Sequence, residues 1–522
     1  IRRKVYREIY FERIVGAKMF RKAGRIKIFT DQKEINKDNV LSVLRKAYAK
    51  HRVNASDTQY LFDYEAGIQP LPYEKIVRAE INIQTSDNMA NYVTEFNKGY
   101  FWGTPVIYTQ RGNNEHHDTD ADTDSLGISA LNEMMLNGVC IGKENQMLAD
   151  FVEKSGIGHR IVDVKTDWTD EVYQGTYANV HTLDSRNTFC VYYAGIGQPK
   201  VMGVTFTKIS GKLYFTCFTK TQRFEISGDE VEEYINPLGM IPIVEYERSV
   251  DRSGCFERQI PLMDNLNSMV SNFANDVAQK TQEIWWGNDI EFPVDEKTGE
   301  PIKPKSGQWL LTHSDSSGGQ NQKIQPMSST FDSTPTLSAI NDTRNEILKQ
   351  CFVPMQYSSE GGGSTGIASS LSSGWDATAV DADRKQQLIE GAVREELILI
   401  LKAISLADKK YLPEDDPLRK IHSSDIDLKF TRRQNWDIAT KANAFATLVS
   451  HGVHGRHALK TANMFEDVEQ VYLDSKEGIE QYQQKQYGEE ETSDRIMQDS
   501  SDQAENSPMI GSPRTGDAQP ME

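Results

Sequence analysis

Two helical stripes bracket a polar insertion in the middle of the chain. In QIPLMDNLNSMVSNFANDVAQKTQ, the residues Leu262, Leu266, Val270, Phe273 and Val277 recur at spacings of four, four, three and four, which places them on one face of a helix. The answering segment FDSTPTLSAINDTRNEILKQCFVP carries Leu337, Ile340, Ile347, Leu348 and Cys351 between polar residues and ends at Pro354. Helices are therefore predicted over 259–282 and 331–354, each about 36 Å long at ~1.5 Å per residue. Each has one apolar stripe to bury rather than an apolar circumference. Between them lies a Gly-, Pro- and Lys-rich module over 283–330, with strand-like IEFPV and QWLLT on either side of the turn EKTGEP. Behind the second helix, SSEGGGSTGIASSLSSGW has no apolar period and reads as a flexible loop over 355–375.

The rest of the chain divides by period. KDNVLSVLRKAYAKHRV sets Val40, Leu41, Val43, Leu44 and Tyr48 on one helical face. A further helix leads through Tyr100, Phe101 and Trp102, read as core around a Gly turn, to a strand at 105–109 that includes Tyr108. ISALNEMMLNGVCIGKENQMLADFVEKSG reads as an amphipathic helix with an extension. From about 158 to 247 the period falls to two, in segments rich in β-branched and aromatic residues, and Ser210-Gly211 joins two of them as a hairpin. This is a mostly antiparallel sheet region. In the helix that follows the Gly/Ser loop, Leu388, Val393, Leu397, Leu401 and Ile404 form the apolar face, and Trp375 plugs the base of the loop. The segment 488–522 is polar and acidic with few large apolar residues, and is expected to be disordered.

Composition narrows the function classes. The chain has 522 residues and a net charge of −18, long enough for several domains and the wrong sign for a protein that coats DNA. A protein that surrounds DNA without gripping it remains open. Five cysteines without paired spacing suggest neither a zinc site nor a disulfide framework, and fit a reducing compartment. No apolar run reaches the ~20 residues of a membrane helix, and the basic start at Arg2, Arg3, Lys4 and Arg7 is not followed by a signal-peptide core. That basic cluster reads as a solvated or partner-facing segment, because it lacks the interleaved stacking aromatics of single-strand binders.

Three chemical motifs are incomplete. Asp122, Asp124, Gly127 and Glu133 match the first, third, sixth and twelfth positions of a calcium loop, but Leu126 fills the fifth, where an oxygen is needed. With His116 and His117 diverging along the chain, an acidic surface loop is expected there and no metal. Gly361 and Gly366 have the spacing of a phosphate-binding loop, but Ile367 stands where its lysine belongs, so no nucleotide or other cofactor is expected. A nuclease using Asp118, Asp120, Asp122 and Asp124 lacks a paired His or Lys in a recognisable setting.

The entry to the first long helix carries a resemblance. Asn236 to Tyr246, N-P-L-G-M-I-P-I-V-E-Y, precedes a helix with Leu262, Met263, Asp264, Asn265 and Ser268, and this resembles the approach to the stem of portal proteins from tailed double-stranded-DNA phages of the siphophage type. Upstream, Y-F-W-G-T-P-V-I-Y at 100–108 resembles that family's "fG-pv-y" segment. Downstream, the strand and helices of 426–472 are similar to its "v-f-rn-p-d…a-…l…G-iS" pattern, with His451-Gly452-Val453-His454 departing from the usual Gly-Ile-Ser turn. The order of these segments is consistent over about residues 70–480.

The resemblance implies an α+β, multi-domain subunit of a ring, usually of twelve copies, at one capsid vertex. On this chain the wing would be 1–258 with a returning helix at 376–411. The stem helices would be 259–282 and 331–354, the clip 283–330, the tunnel loop 355–375 and the crown 412–487. It implies DNA packaging, retention and ejection without catalysis. The partners would be the terminase large subunit, a head-to-tail adaptor, the major capsid and scaffolding proteins, and double-stranded DNA bound without sequence preference. Assembly would occur in the host cytoplasm, and the mature location would be the virion. Ser358, Gly361, Gly362, Gly363, Ser364, Thr365, Ser369 and Ser370 would face the DNA. Trp285, Trp286 and Trp309 would either anchor partners at the clip or fill its small core. Leu262, Leu266, Val270, Phe273, Val277, Leu337, Ile340 and Ile347 would pack the stem. A non-portal head protein with the same helix-insert-helix order is the alternative.

Overall fold

The computed structural model describes residues 22–71, 81–111, 121–164, 176–281, 285–288, 294, 297, 323–326, 333–355, 374–432, 438–462, 471–472, 475–476 and 478. They fall into two compact units, one built from 1–105 and 110–426 and the other from 106–109 and 427–522.

In the first unit a helix covers a sheet. Helix α1 (Val40–Glu65) buries Val40, Val43 and Leu44 of the predicted stripe together with Ala47, while Leu41 and Tyr48 are partly buried against the same core. That stripe packs on β5 (Thr188–Tyr193), β6 (Lys200–Ile209), β7 (Lys212–Phe218) and β8 (Gln222–Ser227) through Val191, Met202, Val204, Cys217 and Phe224. The sheet runs in the order β1-β5-β6-β7-β8-β9, with β1 (Ile28–Thr30) at one edge and β9 (Glu230–Ile235) at the other. All its pairings are antiparallel except β1 with β5. A three-residue strand is too short to print a period of two, which is why β1 was not anticipated. At the tip of β6-β7, Ser210 (φ 50°) and Gly211 (φ 86°) both lie in the left-handed region, as a two-residue hairpin requires.

A second sheet, β10-β3-β4, uses β10 (Ile243–Glu247), β3 (Ile157–Val164) and β4 (Ala178–Leu183). The Pro-Gly turn ahead of β10 is fixed by Asn236. Its side chain donates to the carbonyls of Thr219 and Met240, each at 2.7 Å, and accepts from the Leu238 N–H.

A helical core forms where α1 meets α2 (Met89–Phe101) and the two predicted arms, α5 (Ile260–Thr281) and α6 (Thr334–Gln350). Tyr64, Val93, Phe256, Met263, Leu266, Ile340 and Ile347 are buried together in it. Tyr100, Phe101, Trp102 and Tyr108 are all buried, as the core reading expects.

Three expectations are corrected. The region of the calcium-like pattern is helix rather than acidic loop: α3 spans Ala121–Glu133. A Cβ at Gly127 would meet the Pro417 carbonyl oxygen at 2.7 Å and Ile421 Cγ1 at 3.0 Å, so this glycine permits close packing and turns no ion-binding loop. The second arm is also shorter than predicted. It covers 17 residues, about 26 Å at ~1.5 Å each, against 22 residues and about 33 Å for the first. Pro335 sets its start, and Phe352 at φ 57° closes its end. The amphipathic stretch predicted from Ile128 to Gly156 is likewise divided: α3 runs into a π-helical turn at Met134–Gly138, and Cys140 (φ 55°) separates both from α4 (Ile141–Ser155). Beyond the loop, α7 (Trp375–Ser405) runs for 31 residues and is followed by the short α8 (Pro417–Lys420).

The second unit contains a two-stranded sheet of β2 (Ile107–Gln110) with β13 (Ile426–Lys429) and a pair of helices, α9 (Ile438–Ser450) and α10 (Gly455–Ala462). At their junction Gly452 (φ 80°) turns the chain and His454 opens α10, its Nδ1 accepting the Arg456 N–H at 3.3 Å. The imidazole thus stands where a Ser hydroxyl would cap the helix.

Candidate functional site: the two-helix arm and the mount of the glycine loop

The glycine-rich segment leaves from the end of α6 and returns at the start of α7, and these two points are fastened together. Helix α6 ends with the Phe352 N–H donating to the Lys349 carbonyl and the Val353 N–H to the Leu348 carbonyl, the two bonds of a Schellman closure. Phe352 takes the left-handed position usually given to glycine, a conformation that costs a non-glycine residue about 1 kcal/mol. Its carbonyl accepts the Thr378 hydroxyl at 2.7 Å. Trp375, the first residue of α7, lies 6.0 Å from Phe96 and 5.9 Å from Tyr100 between ring centres. Chain entering and leaving the loop is therefore held at one place on α2.

Helix α5 carries a polar stripe beside its apolar one. Asn267, Ser271 and Asn275 are all buried and grip an extended segment at alternate residues. Asn275 accepts the Ile83 N–H at 2.6 Å and donates to the Ile83 carbonyl at 3.0 Å. Ser271 does the same for Thr85 at 3.1 and 2.9 Å, and Asn267 accepts the Asp87 N–H at 2.8 Å. Two extended residues advance ~6.6 Å and four helical residues ~6.0 Å, so the rungs match closely over this length. Asp87 then reaches across to Arg344 of α6 at 2.6 Å, tying the segment to both arms. The stripe continues to Asp264, which accepts the Tyr64 hydroxyl at 2.8 Å. Burial pushes the Asp264 carboxyl up to about 6, against the opposing pull of that hydrogen bond.

Ion pairs seat α7 on the second sheet. Burial would raise the Glu153 carboxyl, but Lys385 and Arg248 outweigh it and hold it down at about 2. Lys385 Nζ lies 2.7 Å and Arg248 Nε 2.9 Å from it, and Trp102 donates to it at 2.9 Å. Arg248 also meets Asp381 at 3.1 Å. One turn-set further along α7, Glu396 takes Arg160 at 3.0 Å and the Tyr246 hydroxyl. Lys200 pairs with Glu395. Because such pairs cannot be shifted by one residue without stranding a buried charge, they fix the register of α7.

One cluster has the makings of a metal site. His159, Cys190 and Glu245 bring ligand atoms within 4.8 Å of one another. Glu245 already takes Arg252 at 2.6 Å, Tyr192 at 2.8 Å and His159 at 3.1 Å, and His159 Nδ1 faces Ser185 Oγ at 2.9 Å. Burial drives the Cys190 thiol far above its ordinary range, which disfavours the thiolate a metal needs. A divalent ion would have to compete with the Arg252 guanidinium for one carboxylate, so the cluster reads as a hydrogen-bonded core.

The structure brings some predicted site residues together and separates others. Leu266, Ile340 and Ile347 are buried in one cluster, with Leu262, Val270 and Phe273 packed against it. Val277 and Leu337 are 44 % and 42 % exposed, so within a single copy they pack no core. Trp285 and Trp286 lie on β11 (Trp285–Asn288), which pairs antiparallel with β12 (Lys323–Pro326). Trp309, all eight predicted DNA-facing residues from Ser358 to Ser370, Asp118, Asp120 and the segment 488–522 lie outside the described residues. The polar ladder and the buried ion pairs were not anticipated. The recurrence of polar residues at 264, 267, 271 and 275 was the available signal.

No curated protein matches the chain in sequence. Among solved structures, a chain from the neck of an empty GTA particle computed with C6 symmetry is 11 % identical, with a TM-score of 0.36, covering 76 % of this chain and 95 % of that one. That likeness is too distant to bear on function. The family described as "Phage portal protein, SPP1 Gp6-like" matches residues 49–487, an interval that holds the arm, the loop and its mount. The chain belongs to this family of phage portal proteins.

Proposed function

We propose that the protein is the subunit of a ring at one vertex of a phage capsid, a passive conduit for double-stranded DNA during packaging, retention and ejection. The observation that carries this reading is the two-helix arm with the ends of the glycine loop tied at its root, within the interval matched to the portal family. On this reading α5 and α6 are the stem, and 283–330 is a clip that docks the terminase large subunit and later the head-to-tail adaptor. Residues 355–375 are the tunnel loop, 412–487 the crown, and 1–258 with 376–411 the wing. Val277 and Leu337, left exposed in one copy, meet neighbouring stems. Ser358, Gly361, Gly362, Gly363, Ser364, Thr365, Ser369 and Ser370 line the channel. Small uncharged residues suit that place, since many phosphate contacts would bind DNA in a salt-dependent way and retard it. Trp285, Trp286 and Trp309 serve the clip.

Electron microscopy of the purified protein tests the reading. Rings with a central hole, twelve-fold in class averages, are expected. Monomers or dimers at micromolar concentration would overturn it.

A further inference from the structure

Strand β9 ends its sheet and, among the described residues, pairs only with β8. Ser227 opposes Glu230 across Gly228-Asp229, and at the other end the Asn236 N–H donates to the Thr221 carbonyl at 2.9 Å. Hydrogen-bonded and open pairs alternate along an antiparallel ladder. The pairs 223/234 and 225/232 are thus closed, and the N–H and C=O groups of Val231, Glu233 and Ile235 point away from the sheet. Glu230, Glu232 and Glu233 are exposed along this edge, and Ile235 is 86 % exposed. Like charges directly opposite one another disfavour pairing of this strand with its own copy. A basic strand has no such obstacle.

The chain contains one segment of that chemistry. Residues 1–21, IRRKVYREIYFERIVGAKMFR, hold seven Lys and Arg against two Glu, are rich in β-branched and aromatic residues and contain no proline. They lead into β1, which is at the opposite edge of the same sheet, about 24 Å away at ~4.8 Å per strand. Fully extended they span up to ~70 Å, ample for either their own β9 or that of another copy. The route to their own β9 crosses the whole sheet, one face of which is covered by α1 and the other, at Cys190 and Phe218, by Ile241 and Ile243. In a head-to-tail arrangement of identical copies, by contrast, one end of the sheet serves as donor and the opposite end as acceptor, and each copy does both.

We propose that residues 1–21 of one copy add as a strand to the acidic edge β9 of the next, with backbone pairing supplying affinity and the charges supplying direction. The proposal rests on the ring reading above. Its test mixes nitrogen-15-labelled and unlabelled full-length chains before assembly and isolates rings by sedimentation. Carbodiimide then joins lysine amines to carboxylates in contact, and the linked peptides are identified by mass. Links from Lys4 or Lys18 to Glu230, Glu232 or Glu233 that combine a heavy and a light chain are expected. Glu232→Lys with Glu233→Lys, both on the exposed edge, should lower the yield of the links to Glu230, which the variant keeps, at least about tenfold, the scale of losing two directed charge contacts. Links confined to chains of one isotope, or intact rings without these links, overturn the proposal alone. Failure to form rings at all removes the reading on which it rests, and the proposal with it.

Discussion

The Thr378 hydroxyl donates to the Phe352 carbonyl at 2.7 Å, joining the first turn of α7 to the residue that terminates α6. The described residues on either side of 356–373 are thereby fastened to one another. Thr378→Val keeps the shape of the side chain and removes the bond. It should cost about 1 kcal/mol, as a net hydrogen bond does, read from the urea midpoint. Cleavage by protease near residue 355 should rise in parallel, and unchanged cleavage would show that Trp375 alone holds the mount.

Glu153 neutralises two buried cations, so Glu153→Gln strands Lys385 in the core and leaves Arg248 with Asp381 alone. A loss of about 3–5 kcal/mol is expected. Lys385→Met, which leaves Glu153 its Arg248 partner, should be milder. Equal losses would mean that the Lys385 charge, held between Glu153 and the face of the Phe101 ring, matters as much as that of Glu153.

Asp264 reverses the usual pH behaviour of a carboxylate. Its folded value of about 6 lies above the ordinary 3.8, so the protonated form is the one the fold prefers. The corresponding stability is fully present below about 3.8 and is lost as pH rises through about 6. Asp264→Asn keeps an acceptor for Tyr64 and cannot ionise. At pH 8 the variant should be about 1–2 kcal/mol more stable than the parent, allowing for water around a half-buried group, with the gap closing near pH 4. A gap independent of pH would contradict this.

The ladder on α5 is tested amide by amide. Asn275→Ala leaves the Ile83 N–H and carbonyl without their side-chain partner, at about 1–3 kcal/mol. Hydrogen exchange should speed up at Ile83 first and at Asp87 less. Uniform acceleration across the protein would mean that the segment has no local stability of its own.

Deleting Gly361 to Gly363 addresses the proposed channel loop. Rings should assemble with unchanged symmetry while DNA packaging or retention falls. Loss of rings instead would assign these glycines to assembly.

Periodicity made the arms, α1 and the two-period strands legible because each buries one continuous face. It missed what depends on partners far along the chain. β1 became a strand only through Val191, more than 160 residues away. Lys385 and Glu396 sit on the face of α7 that an apolar count assigns to Leu388 and Val393, and nothing local announces that Glu153 and Arg160 will meet them. Helix ends were misplaced where backbone geometry decided them, as at Phe352. Residues 121–133 carried loop-forming Asp and Gly, but packing of Gly127 against Pro417 and Ile421 favoured helix.

The rungs made by Asn267, Ser271 and Asn275 run along the axis of α5 and cross to a segment lying beside it. A pull along that axis loads all three at once, in shear, whereas a sideways pull would open them singly, as a zipper opens. The mismatch of ~0.6 Å per rung lets about three rungs fit before the two spacings drift apart. The joint is therefore short, stiff lengthwise and weak to peeling, and the helix it braces should tolerate thrust along its length far better than bending.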